Sequence, residues 1–299
     1  MASPELEQLI AAKRANPYTE DKTVEELRAE SEARIDDSKL PPNTRYRAVD
    51  AGGTTAEWIE VGDVDDESVF YFIHGGGYYR GSAASSRIPA AHISQACGVP
   101  VCSVNYRLAP EHAFPAALDD VVAGYQWLLE QGYRSSRVVA GGISAGGGLT
   151  AALLLWLKGA GQAQPAGAAP LSPWVDLAQS GASYESKASV DPVISKVYLD
   201  RMAAMYMGER RAREPMISPM YGDLRGLAPQ LVQVGSFEVL LDDAVQYAAR
   251  LAEADVWVSL EVWPEAIHGW HGVPGLPESD DAIASIARFF DWSIARAND

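Results

Sequence analysis

The sequence predicts an α/β fold, with a mostly parallel central sheet flanked by helices and a helical cap, and three observations carry that prediction. Short apolar runs, sized for buried strands, alternate with helix-length segments from residue 69 onward. One of these runs, residues 138–143, meets a glycine cluster and then an apolar segment at 149–157, which is the order strand, sharp turn, helix. With 299 residues, the chain is also long enough to bury the core that such a fold requires.

The elements follow in order. Ser3-Pro4-Glu5 supplies an N-cap, a proline at the first helical position and an acidic first turn, with Leu6, Leu9, Ile10 and Lys13 at helical spacing behind it. Thr23 and Glu26 form a capping box for a second helix, expected to run through Leu27 and Ile35 and to end at Pro41-Pro42. From Thr44 the period changes to two. Residues 46–49 and 54–61, split by Gly52-Gly53, read as a hairpin.

Strand candidates at 69–73, 99–104, 138–143 and 166–171 come next, separated by helix-length segments, so right-handed crossovers are expected. A further strand at 230–234 precedes a helix at 242–252. A last strand at 257–263 precedes the C-terminal helix at 280–295. One segment interrupts the alternation: between Leu177 and Pro215 lie Tyr184, Val193, Val197, Tyr198, Met202, Met205, Tyr206 and Met207. Such flexible, polarizable side chains suit a pocket for varied apolar groups, and they equally suit packing of the insertion onto the body. The expected division is an N-terminal helical cap segment (1–43), a main domain (44–177 with 216–299) and a helical cap insertion (178–215).

Bulk properties narrow the function. Lys and Arg number 24 against 40 Asp and Glu, a formal charge of −16, which disfavours nucleic acid and anionic membrane surfaces as partners. Cys97 and Cys102 are too few for a disulfide framework and have no clustered histidine, so neither a metal nor another cofactor is expected. The N-terminus carries Glu5, Glu7, Lys13 and Arg14 without an apolar core, and no run of 18 apolar residues occurs. These features point to a cytoplasmic protein without membrane insertion.

The chemistry centres on Gly142-x-Ser144-x-Gly146. A serine at the apex of so tight a strand-to-helix turn needs small neighbours on both sides, and the helix that follows aims its positive end at the serine oxygen. A hydroxyl becomes a competent nucleophile only when a base takes its proton and a carboxylate orients that base. Of five histidines, His268 follows the strand candidate 257–263 in a loop at the carboxyl end of the sheet, where open α/β folds place ligands. The acid should follow the strand at 230–234. Glu238 falls in the loop there, whereas Asp242 and Asp243 sit where the next helix begins and favour its dipole, so Glu238 is preferred over Asp242. Attack on an acyl carbon creates an oxyanion, for which the N–H of Ala145 and the glycine loop His74-Gly75-Gly76-Gly77 offer donors.

Four ordered motifs then resemble the bacterial hormone-sensitive-lipase-like (family IV) esterases of the α/β-hydrolase fold, over roughly residues 68–295. They are His74-Gly75-Gly76-Gly77, the stretch from Asn105 to Ala117, Ser172-Pro173-Trp174-Val175-Asp176-Leu177, and His268-Gly269-Trp270. The order nucleophile, acid, histidine along the chain is also that of the fold. The resemblance implies a serine esterase with Ser144 as nucleophile, His268 as base, and Gly75, Gly76 and Ala145 as oxyanion donors. It implies that the 1–43 and 178–215 segments cap the site, that short to medium acyl chains are favoured, and that Glu111 and His112 anchor the region of Arg107. The chain departs from the family pattern at Ile143, usually Asp, and at Glu238-Val239-Leu240, usually Asp-Pro-Leu. Plant gibberellin receptors of the same superfamily bind ligands without turnover and lack the histidine that His268 supplies here. The expected partner is a small-molecule ester, with a homodimer conceivable through an exposed last strand.

Overall fold

The structure is a computed structural model that describes residues 2–16 and 22–297. Helix α1 (Pro4–Ala15) begins at Ser3, whose hydroxyl accepts the N–H of Leu6 at 3.1 Å. Helix α2 (Val24–Glu32) opens with the expected reciprocal cap between Thr23 and Glu26. It ends at Glu32, short of Ile35 and of the two prolines. The chain instead tightens into a single 3₁₀ turn at Asp37–Lys39, where Asp36 accepts the Ser38 N–H and Asp37 pairs with the buried Arg87 at 2.5 Å.

Among the described residues, eight strands form one sheet: β1 (Thr44–Asp50), β2 (Thr55–Val61), β3 (Val69–Ile73), β4 (Val101–Val104), β5 (Val138–Ile143), β6 (Gly167–Leu171), β7 (Gln230–Gly235) and β8 (Val258–Trp263). Their spatial order is β1-β2-β4-β3-β5-β6-β7-β8. β2 runs antiparallel to both of its neighbours, and every pairing from β4 across to β8 is parallel. The hairpin turn uses Gly52 and Gly53 at positive φ, and β4 starts after Pro100 because proline has no N–H for the ladder. β3, β6 and β7 are buried at every position, as expected where helices cover both faces, whereas edge strand β8 alternates.

The alternation within β3 shows how the layers are made. Tyr71 and Ile73 face α4 (Ala116–Glu130) and α5 (Ala145–Gly159). Phe70 and Phe72 face α3 (Arg87–Cys97) and the C-terminal helix, Pro277–Arg296. The 178–215 segment contributes the short α6 (Ser183–Ser186) and α7 (Lys196–Met207), and α8 (Leu241–Glu253) follows β7, leaving Pro277–Arg296 as α9.

Both N-terminal helices are fastened where chemistry is expected. Leu6 is fully buried with Ile267, Trp270 and Leu276, beside His268, which by area is worth roughly 2 kcal/mol. The Ser3 N–H and hydroxyl both donate to the Glu278 carboxylate, at 2.7 and 2.8 Å. On α2, Arg28 donates to the carbonyls of Tyr79 and Ala109, each at 2.8 Å, and to both oxygens of Glu111. This corrects the role that the resemblance gave Glu111: it holds α2 down, while Arg107 pairs with Asp120 at 2.8 Å and His112 is exposed. Residues 17–21, between the two helices, lie outside the described residues.

Candidate active site

Ser144 stands between β5 and α5 at φ 60° and ψ −118°, a conformation that an L-residue adopts only under constraint. The constraint is visible. A Cβ at Gly142 would stand 2.5 Å from the Ile73 carbonyl oxygen, and one at Gly146 would collide with the same oxygen. The turn is held by the Ser144 N–H donating to Leu171 at 2.9 Å, and by the Ser144 carbonyl accepting from Gly148 at 3.0 Å and Trp174 at 3.1 Å. Strand β6 and the loop after it thus brace the serine. The residue stays 8% exposed and lines a cavity.

His268, in the loop after β8, places Nε2 2.9 Å from Ser144 Oγ and Nδ1 2.8 Å from Glu238 Oε2. A carboxylate beside Nδ1 fixes the proton on that nitrogen and leaves Nε2 to accept from the serine. Glu238 is fully buried in the turn after β7, and its other oxygen accepts the Ser172 hydroxyl at 2.7 Å and the Gly235 N–H at 2.6 Å. The Glu238 N–H donates back to the Gly235 carbonyl at 3.2 Å.

The other two carboxylates point elsewhere. Asp242 accepts the Ser183 N–H at 3.0 Å, tying α8 to α6. Asp243 is buried and accepts the Val175 and Asp176 N–H groups and the Tyr184 hydroxyl, at 3.0, 2.9 and 2.7 Å. Burial, above all, pushes its carboxyl well above the usual range.

The glycine loop lies against the serine. A Cβ on Gly75 would stand 2.9 Å from the Ile143 carbonyl oxygen and 3.4 Å from Ser144 Cβ. Among the described residues, the N–H groups of Gly75, Gly76 and Ala145 meet no protein acceptor, so they are available to a ligand oxygen beside Ser144. His74 stacks on Tyr106 with ring centroids 4.1 Å apart, and Nδ1 lies 2.8 Å from the Gly75 carbonyl. Burial drives its pKa down to about 4, so it is a neutral strut of this loop. His271 is likewise buried, its pKa lowered to about 3 by burial and by His268.

The electrostatics of His268 are a contest. Burial, the largest influence, disfavours the imidazolium. The Glu238 hydrogen bond and charge, with the charge of Asp191, outweigh it, and the pKa ends above the ordinary 6.5.

Ser144 and His268 open onto a cavity. Its walls include Ser31 and Arg34 from the α2 side, Gly75, Gly76 and Gly77, and Val193, Ile194, Tyr198, Leu199 and Met202 from the 178–215 segment. Of the Met- and Tyr-rich set, Val193, Tyr198 and Met202 therefore line the cavity. Tyr206 instead stacks on Tyr78 at 3.8 Å in the core, and Val197 is exposed. Two residues of the site had no role in the sequence reading. Ser172 lay in a motif that showed no chemistry of its own, and Asp191 gave no signal apart from preceding a proline. Among the described residues, no group of three or more His, Cys, Asp or Glu is placed to hold a metal, and no helix is long and apolar enough to cross a membrane.

Comparison with known proteins identifies the family of the chain. The family model for the alpha/beta hydrolase fold matches residues 70–272. An acetyl-hydrolase of Streptomyces hygroscopicus is 40% identical over 293 residues, 97% of each chain, and an esterase of Acinetobacter venetianus is 32% identical over 255 residues, 83% of this chain and 82% of the relative. The crystal structure of an esterase from the bacterial hormone-sensitive lipase family superposes with a TM-score of 0.94 at 41% identity, covering 98% of this chain and 99% of that one.

Proposed function

The chain belongs to the alpha/beta hydrolase fold family and is a carboxylesterase, and from that premise we propose that it works through an acyl-enzyme on Ser144 and takes short- to medium-chain acyl esters. The carrying observation is the continuous relay from Ser144 Oγ through His268 to Glu238, at 2.9 and 2.8 Å, beside free N–H donors of the glycine loop.

In the proposed reaction, His268 Nε2 takes the Ser144 proton as Oγ attacks the ester carbonyl. Gly75, Gly76 and Ala145 receive the oxyanion, and Glu238 stabilises the imidazolium. The imidazolium then protonates the leaving alcohol. Water, activated by the same nitrogen, releases the acid and restores Ser144. The N-terminal segment and the 178–215 insertion act as a cap, a role supported by their side chains in the cavity wall. That wall, to which Met202 and Leu199 add apolar side chains, supports a preference for short to medium acyl groups. The edge position of β8, with Leu260 and Val262 exposed, supports pairing with a second copy, which sedimentation velocity decides.

The test is hydrolysis of p-nitrophenyl esters from acetyl to dodecanoyl by the wild type and by Ser144→Ala. Turnover confined to the wild type and falling beyond medium chains is expected. Retention of turnover by the variant would remove Ser144 from the reaction, and a rate that rises with chain length would remove the acyl preference.

A further inference from the structure

Asp191 lies in the 178–215 insertion, beyond α6, and its half-buried carboxylate accepts three backbone N–H groups. Oδ1 takes those of Val193 at 2.8 Å and Ile194 at 3.1 Å. Oδ2 takes that of Val239 at 2.9 Å, 48 residues further along the chain. The first two bonds are an ordinary local turn, which any short polar side chain can make. The third is of another kind: Val239 directly follows Glu238, and Val193 and Ile194 form part of the cavity wall beside Ser144. One side chain therefore joins the surface that a substrate touches to the turn that carries the carboxylate behind His268.

The residue type is dictated by this arrangement. Both oxygens must accept, so an asparagine in the same pose would turn its NH₂ group toward the Val239 N–H or toward the two N–H groups of the local turn. A carboxylate alone satisfies all three, and it brings a charge.

We propose that Asp191 is a positioning residue of this active site, which fastens the cavity wall at Val193 and Ile194 to the Glu238 turn and adds a second negative charge to the surroundings of His268. The charged and titratable groups whose fields reach the imidazole are Glu238 from the turn after β7, Asp191 from the insertion and Arg80 from the loop after β3, with neutral His271 in the turn just after His268 itself. Glu238 and Asp191 favour the imidazolium, and Arg80 opposes it. The second carboxylate thus makes His268 a stronger base only while the insertion is seated, so the seating of the cavity wall and the strength of the base are linked. This linkage rests on the acyl-enzyme reading, but the charge effect does not.

The test is therefore one that needs no substrate. Histidine-labelled protein is titrated by NMR, with the His268 resonance assigned by its loss in His268→Gln, in the wild type, Asp191→Asn, Asp191→Ser and Asp191→Glu. The His268 midpoint is expected to fall by about half a pH unit in the Asn and Ser variants, with most of that fall absent in the Glu variant, which keeps the charge. An unchanged midpoint in either folded neutral variant overturns the proposal. Loss of folding in both also overturns it, because the carboxylate is then a requirement of the fold. With p-nitrophenyl butyrate, the acid limb of kcat/KM should move with the NMR midpoint. If the wild type turns over no ester, the acyl-enzyme reading fails while the titration still decides the place of Asp191.

Discussion

The Ser172 hydroxyl donates to one oxygen of the Glu238 carboxylate at 2.7 Å, while the other oxygen of that carboxylate faces His268 Nδ1 at 2.8 Å. Ser172 itself sits at φ 41°, at the end of the strand next to β7. The central sheet thus holds the acid directly, through a residue that touches neither the imidazole nor the cavity. Ser172→Ala removes one of two donors from a fully buried carboxylate oxygen and leaves Gly235 as the other. A hydrogen bond to a buried charge is worth about 1.5–3 kcal/mol, so kcat should fall roughly tenfold or more with little change in KM. Steady-state kinetics with p-nitrophenyl butyrate check this, and a rise in KM alone would contradict it.

Glu238 and Asp242 are separated by their partners. Glu238→Gln keeps the shape but removes the charge that holds His268 in its tautomer, so kcat should fall by roughly 10³-fold or more. Asp242→Asn loses only part of a tie between α8 and α6 and should stay within about threefold of the wild type. Glu238→Asp draws the carboxylate back from Nδ1 by about one bond length, a misplacement that costs on the order of 10²-fold. Equal losses at 238 and 242 would refute the assignment.

The pH profile follows from His268. In the proposed reaction its neutral form takes the serine proton, and its pKa lies above 6.5 because Glu238 and Asp191 outweigh burial. kcat/KM should therefore rise with pH through a midpoint above that value and be lost as the imidazole protonates below it. Removing a carboxylate charge lowers the imidazole pKa, so the acid limb of Glu238→Gln should move to lower pH as its ceiling drops. A limb that moves upward would reverse the sign argued for Glu238.

Much of this was legible in the sequence, because the chemistry imposes local patterns. The turn around Ser144 needs glycine at 142 and 146, since any side chain there meets the Ile73 carbonyl, and the strand-to-helix order around it is an apolar period that can be counted. His268 and Glu238, which the structure brings together with Ser144, are marked in the sequence by their position after strands. Ser172 and Asp191 are not, because their partners lie 66 and 48 residues away and nothing local marks such a bond. The end of α2 was misplaced for a similar reason. The chain leaves the helix at Glu32 and turns so that Asp37 meets Arg87, an ion pair that spans 50 residues.

Leu6 tests whether α1 stabilises the loop that bears His268. Leu6→Ala empties a fully buried site among Ile267, Trp270 and Leu276 and should cost about 2–5 kcal/mol in urea unfolding. Val197→Ala, at a 61% exposed position, should stay within about 0.5 kcal/mol. Equal effects at the two positions would mean that α1 is not part of the cooperative unit.

Gly77 makes the last case, because two separate constraints act on it and a paired substitution tells them apart. Its φ is 61°, in the left-handed region, and a Cβ there would run into the sulfur of Met202, which packs against it. Gly77→Ala therefore brings roughly 1 kcal/mol of backbone strain whatever surrounds it, together with a clash against α7. The methionine end is flexible and yields, but it yields into the cavity, and the neighbouring Gly76 N–H shifts from the place where an oxyanion would form. A loss of about 10–100-fold in kcat/KM for p-nitrophenyl butyrate is expected. Adding Met202→Ala removes the clash and leaves the strain, so the double variant should recover a large part of the loss, with a coupling energy of about 0.5 kcal/mol or more. Strictly additive losses would show that strain at Gly77 alone governs the loop, and that α7 does not press on it.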